Sequence, residues 1–336
     1  MTLAIFYKLL AIFFTVAIGW FAGRMRWLGQ ASAESDPARV LANAAFYIFV
    51  PALLFRTTAR LDLRGMPWNT VAAFFVPVVG MLLLVYGVQR LAQRGPASSD
   101  RADGEREAAK PAVRAITATF GNSVQIGIPL SAALFGEAGL GLHIALVSLH
   151  ALVLLSVLTA LVELDLARAR AQHEVGASLW RTLRTTAYNT IVHPVVLPVL
   201  AGMAWNLTGW GLPGPLDETL QLLSTAVAPV CLVLIGISLA YYGMGDHLRG
   251  AVGIALIKLL GLPAAVLVVA HWGFGLHGLP LSVAVVMAAL PAGSNALIFA
   301  QRYRSQEVAT TTAIVGSTFG FVLTVPLWLA VLSFLG

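Results

Sequence analysis

A chain of 336 residues that is 58% hydrophobic and 11% charged, with a mean hydropathy of +0.83, falls far below the roughly 25% charged residues of soluble domains. That balance excludes a soluble enzyme and makes the lipid bilayer the solvent of the fold. A net charge of +6 would point to nucleic acid in a soluble protein, but here the cations follow a membrane-topology pattern, and no nucleic-acid partner is expected. The single cysteine, Cys231, allows no intrachain disulfide and no Cys-rich metal motif, and no cofactor is expected.

A hydrocarbon core of about 30 Å asks for roughly 20 apolar residues per helix. Read in order, the chain offers ten such stretches. The first, Leu3 to Gly23, lacks a small-residue cleavage site and runs into Arg24 and Arg26, which marks a span and not a signal peptide. Val40 to Thr57, Trp68 to Leu91, Val113 to Gly136 and Gly141 to Leu164 follow. The second five are Thr185 to Leu207, Leu216 to Tyr242, Leu248 to Trp272, Leu281 to Tyr303 and Ala309 to Leu335. The fold class expected is therefore an all-α polytopic membrane protein. Between the third and fourth spans, Gln93 to Pro111 mixes Pro, Gly, Ser and charge and reads as a mobile cytoplasmic loop.

Charge placement orients these spans. Sixteen of the 21 cations fall in odd-numbered connections, among them Arg39, Arg90, Arg114, Arg168 and Arg302, while the even ones hold only Arg56, Arg60 and Arg64. The positive-inside rule then puts both termini outside the cytoplasm. Trp20, Trp27, Trp68, Trp180, Trp210 and Trp272 fall near span ends as interfacial anchors. An Ala- and Arg-rich, Lys-poor composition points to a bacterial inner membrane.

The order of interruptions repeats. Pro51 and Pro229 lie in the second span of each half, and Gly/Pro breaks lie in the fourth, at Pro129 and Pro291. Five spans per half is an odd number, so residues 1–165 and 180–336 read as repeats of opposite orientation, an architecture found in many secondary transporters. Near mid-membrane the fourth span carries Asn122, Ser123, Gln125, Gly127 and Pro129, and the ninth carries Pro291, Gly293, Ser294 and Asn295. Such polarity is expensive in lipid. The chain is expected to unwind near Gly127 and restart at Pro129, which suits a first helical turn. Two restarted half-helices facing one cavity present free N–H groups and attract an anion, with Asn122, Gln125, Ser294 and Asn295 orienting a carboxylate.

The segment Asn122-Ser123-Val124-Gln125-Ile126-Gly127-Ile128-Pro129-Leu130 resembles the fourth-span motif of the auxin efflux carrier family, which includes plant PIN carriers and bacterial malate and malonate carriers. Val50-Pro51-Ala52-Leu53-Leu54-Phe55, Ala228-Pro229 to Ile235-Gly236, and Ala288-Ala289-Leu290-Pro291 with Phe299-Ala300-Gln301-Arg302-Tyr303 are similar to its second, seventh and ninth spans. The resemblance implies a ten-helix inverted repeat with crossed, broken fourth and ninth helices holding an organic anion, and a homodimer. Asn122, Pro129 and Pro291 carry over by position. His193-Pro194 stands where relatives often have Asn-Pro, and the long insert of many plant carriers is missing after the fifth span.

Lys258, in the eighth span, is a candidate counter-charge for a dicarboxylate, set against a lysine bonded to a carbonyl. His150 and His193 are candidate proton carriers, set against packing histidines. No Asp or Glu sits centrally in a span, so the usual carboxylate relay is missing, and the coupling ion, proton or sodium, stays open. Gly316 and Gly320 read as a close-packing pair. The expected function is secondary transport of small organic carboxylates of malate or malonate type by alternating access. The alternatives are a sodium-coupled organic anion symporter, an auxin-like indole carboxylate carrier and a non-transporting membrane sensor.

Overall fold

The computed structural model describes residues 3–29, 36–61, 65–93, 101–173, 184, 188, 191–192, 194–242 and 248–335. It is all-α. Helix α1 spans Leu3–Arg24; α2, Pro37–Ala44, passes through a π turn at Ala45–Phe49 into α3, Val50–Ala59; α4 is Trp68–Ala92 and α5 Arg101–Thr119. A second π turn, Ser123–Gly127, leads into α6, Ile128–His173, which bends at Gly136, where φ is 62°. Helices α7, Val196–Leu207, and α8, Gly214–Tyr242, follow. Then α9, Leu248–Leu256, continues through a π turn at Ile257–Gly261 into α10, Leu262–Val268, which ends in another, Val269–Gly273. The chain closes with α11, Gly278–Ala289, α12, Asn295–Arg302, and α13, Glu307–Phe334.

Among the described residues, six stretches are long and apolar enough to cross a bilayer: Pro37–Ala59, Trp68–Ala92, Leu130–Ala169, Gly214–Tyr241, Gly250–Gly273 and Glu307–Phe334. Two shorter apolar helices, Val196–Leu207 and Gly278–Ala289, accompany them. The chain is thus a multi-pass membrane protein.

Proline accompanies three of the four π turns among the described residues. Pro51, Pro129 and Pro263 each stand two residues beyond the end of a π turn. A proline ring has no N–H and crowds the carbonyl four residues back. Opening the preceding turn from i+4 to i+5 bonding gives the ring room without ending the helix. The segment expected to be a loop up to Pro111 is instead helical from Arg101. Its Arg, Glu, Ala and Lys residues are strong helix formers, and Lys110 pairs with Glu107 at 2.8 Å.

Packing sorts the helices into two groups. In one, α1 lies along α8 and α3 lies along α7 and α8. Glycines permit it, since a Cβ on Gly19 or Gly236 would collide with the backbone of the other helix, and one on Gly202 of α7 with Thr58 and the Phe55 carbonyl of α3. In the other, α5 packs on α4 and α6, α11 on α6, α10 and α13, and α9 on α13. Cations from the odd connections gather on polar partners: Arg39 meets Glu307 at 3.3 Å, Arg114 reaches Gln89 and Gln306, and Arg90 and Arg168 share Asp165. Trp27, Trp68, Trp210 and Trp272 are exposed at or near helix ends, and Trp20 is exposed four residues before the end of α1; Trp180 lies outside the described residues.

Candidate functional site

Two interruptions of helix meet inside the protein. Helix α5 stops at Thr119, and Phe120 to Asn122 leave the helix, with Ser123 N–H closing a tight turn on the Gly121 carbonyl at 2.8 Å, before the π turn begins. Helix α11 stops at Ala289 because Leu290, preceding proline, takes an extended conformation with ψ of 148°. The two stretches then pair as an antiparallel bridge between Gly121 and Ala292. Asn122 N–H donates to the Pro291 carbonyl at 2.9 Å, and Gly293 N–H donates to the Phe120 carbonyl at 2.8 Å. Ala292 N–H donates to Ser317 Oγ at 3.0 Å. Broken backbone at membrane depth must satisfy its polar groups within the protein, and these bonds do so. The approach is close enough to require glycine: a Cβ on Gly293 would lie 2.9 Å from the Gly121 oxygen and 2.8 Å from Phe120.

The first break therefore lies earlier than the sequence indicates. Unwinding occurs at Phe120 to Asn122 and not near Gly127, and Pro129 does not restart the helix. Ile128 is already helical, and Gly127 N–H closes an i+5 turn on the Asn122 carbonyl at 3.1 Å. The widened turn absorbs the proline, so the chain has no need to break there. The second break falls where Pro291 predicts it.

A cavity of about 400 Å³ opens onto this crossing. Asn122, Ser123, Ser294 and Asn295 form its floor. Helix α6 contributes a wall with Ser148 and His150, and α3 and α8 contribute another with Arg56, Thr57, Thr58 and Ser224. Asn122 is buried at 6% exposure, and its side-chain oxygen has no hydrogen-bond partner. An unmet buried acceptor costs about 1–3 kcal/mol. Turning the amide exchanges that acceptor for a donor, so this side chain is free to offer either to a ligand.

Of the other residues singled out from the sequence, Ser294 and Asn295 reach the cavity and His150 borders it, with its ring 4.4 Å from that of Phe120 and its Nδ1 3.4 Å from Ser123 Oγ. Gly127 and Pro291 are not part of its lining. A Cβ on Gly127 would strike the His143 ring and Leu290, and Pro291 contributes through its carbonyl. His143, which sequence reasoning passed over, donates from Nε2 to the Ser123 carbonyl at 2.8 Å and so braces the π turn from behind. Lys258 is absent from the cavity lining: fully buried, it donates from Nζ to the Ala288 carbonyl at 2.6 Å, the carbonyl-bonded alternative. The side chains of Gln125 and Pro129 lie outside the described residues, as does His193. Arg56, counted from sequence only as a loop cation, is part of the wall.

The model of a family described as membrane transport protein matches residues 4–329 of the chain. An uncharacterized transporter from Methanothermobacter thermautotrophicus is 24% identical over 324 residues, 96% of this chain and 97% of that one. The uncharacterized transporter YfdV of Escherichia coli K12 is 24% identical over 329 residues, 96% of each. Auxin efflux carrier component 8 of Arabidopsis thaliana is 24% identical over 250 residues, which cover 62% of this chain and 66% of that protein.

Proposed function

Because the chain belongs to the membrane transport protein family, that of the auxin efflux carriers, and is a transporter and not an enzyme, we propose that it carries small organic carboxylates of malate or malonate type by alternating access at the paired helix breaks. The observation that carries this reading is the unpartnered, buried Asn122 amide on the floor of a cavity that both breaks share. Asn122 and Asn295 orient the carboxylate through neutral hydrogen bonds, and Ser294 adds a hydroxyl. The helices restarting after each break direct partial positive charge at the same space.

A ten-helix inverted repeat, with residues 1–165 and 180–336 as its halves, accounts for two breaks that face one another from distant parts of the chain. Under it both termini lie outside the cytoplasm, the protein sits in a bacterial inner membrane, and the family resemblance extends to a homodimer. Pro291 shapes the site through its carbonyl, and His150, beside the cavity, is the candidate proton carrier.

The test is thermal stabilisation of the purified, reconstituted protein across mono- and dicarboxylates, indole-3-acetate and sodium, with Asn122→Ala alongside. We expect a carboxylate to stabilise the unaltered protein and its affinity to fall roughly 10- to 100-fold in the variant, the cost of about 1–3 kcal/mol for one lost buried hydrogen bond. Stabilisation by sodium alone, or by indole-3-acetate in preference to the small acids, replaces this reading with the symporter or the indole carrier. No response to any compound leaves the sensor.

A further inference from the structure

Arg56 is the one charged side chain among the described residues that line the cavity. It stands near the C-terminal end of α3 and is gripped by α8: its Nε donates to Asp217 Oδ1 at 2.8 Å, its Nη2 to Asp217 Oδ2 at 3.4 Å and to Gln221 Oε1 at 2.8 Å. Asp217, Gln221, Ser224 and Ala228 recur at helical spacing and share one face of α8. Ser224 and Ala228 line the cavity, so the partners of Arg56 extend the same wall toward the helix end. Asp217 has a second cation: Arg60 Nη1 donates to its Oδ2 at 2.8 Å.

This arrangement makes Arg56 exchangeable. A guanidinium presents the same two-pronged fork to any carboxylate, and the one it now holds comes from the protein. If a ligand carboxylate takes that place, Asp217 keeps Arg60, no charge is stranded, and Gln221 remains as a neutral contact. The exchange swaps one ion pair for another at equal charge. A ligand with a single carboxylate, held at the breaks, has nothing to offer Arg56 that Asp217 does not already supply.

We propose that Arg56 is a specificity-determining residue that reads a second carboxylate of the substrate, displacing Asp217, while the first carboxylate rests on Asn122 and Asn295. This rests on the carboxylate-carrier reading above. It places selection between monoanions and dianions on α3 and α8, apart from the breaks that hold what the two ligands share.

The experiment compares malonate with its monomethyl ester, which keeps one carboxylate and masks the other, by direct binding to the full chain in nanodiscs. Arg56→Gln is expected to weaken malonate at least about 10-fold and to leave the ester within about 2-fold, since only the dianion pairs with the guanidinium. Asp217→Asn removes the competing carboxylate and is expected to strengthen malonate several-fold, an outcome that a merely structural ion pair does not produce. Equal weakening of both ligands by Arg56→Gln, no change in malonate, or weaker malonate binding in Asp217→Asn each overturns the proposal. Should Arg56→Gln fail to fold, the direction of the Asp217→Asn effect decides alone. If Asn122→Ala loses both ligands while Arg56→Gln loses neither, only the role of Arg56 falls; if the unaltered protein binds neither ligand, the carboxylate reading falls and takes this one with it.

Discussion

On the cavity side of the helix crossing, the Asn122 oxygen has no partner, and Ser294 and Asn295 stand beside it. On the far side, polar atoms are committed. Lys258 bonds the Ala288 carbonyl, while Ser317 Oγ accepts from Ala292 N–H and donates to the Ile314 carbonyl at 3.0 Å. Both sides surround the same few residues of broken backbone, and both are deeply buried. One leaves hydrogen-bonding capacity open at an expense in stability, the other uses its capacity to hold the break in place. A polar residue near a membrane midplane therefore does not by itself mark a binding residue; whether its bonds are already taken does.

Substitutions sharpen this contrast, and their effects on stability should fall in order from the crossing outward. Gly293→Val puts branched carbon where Gly121 and Phe120 already lie, so the bridge cannot close. A loss of about 3 kcal/mol or more is expected, read as a large drop in melting temperature together with loss of uptake. Lys258→Met strands the Ala288 carbonyl and should cost about 1–3 kcal/mol, with ligand preference unchanged in the same binding assay. If it abolished carboxylate binding at full stability, the two sides would not differ as described. Ser317→Ala, which frees the Ala292 N–H and takes from the Ile314 carbonyl a bond while Thr318 Oγ1 still donates to it, should cost about 1 kcal/mol. Asn122→Ala should not lower the melting temperature of the ligand-free protein, because its oxygen holds no bond to lose and the unmet acceptor goes with it, while weakening the stabilisation by ligand. A destabilisation as large as that of Lys258→Met would show Asn122 to be a structural strut.

Much of the helical framework was legible because apolar stretches of membrane length are hard to write by accident, and the second break was legible because proline acts on the residue before it. Leu290 had little choice but to extend. The first break was misplaced because Pro129 invited the same reasoning, yet a π turn accommodates it, as another does for Pro51 and Pro263. Proline alone does not say whether a helix breaks, widens or continues: Pro77, Pro111, Pro229 and Pro326 stand inside uninterrupted α-helices. The helix from Arg101 was hidden behind Pro and Gly residues that suggested a loop, although its Ala, Glu and Arg content favoured a helix. Asn122, Ser294 and Asn295 were found as polar residues beside the breaks. Lys258 was found too, but which way a long side chain turns depends on neighbours remote in sequence. Arg56 drew no notice beyond a charge count, since its place in the wall depends on α3 and α8 lying side by side.

The bridge between Gly121 and Ala292 also fixes what a fragment of this protein can be. Each strand of the bridge answers the other's backbone hydrogen-bonding groups, and in lipid nothing else is present to answer them. Neither half of the chain owns a site that the other merely improves. Expressed alone, either half carries orphaned amides and carbonyls at its centre and should be cleared by the cell's proteases; expressed together as two polypeptides, the halves should regain longevity and ligand binding in a single step, by complementation.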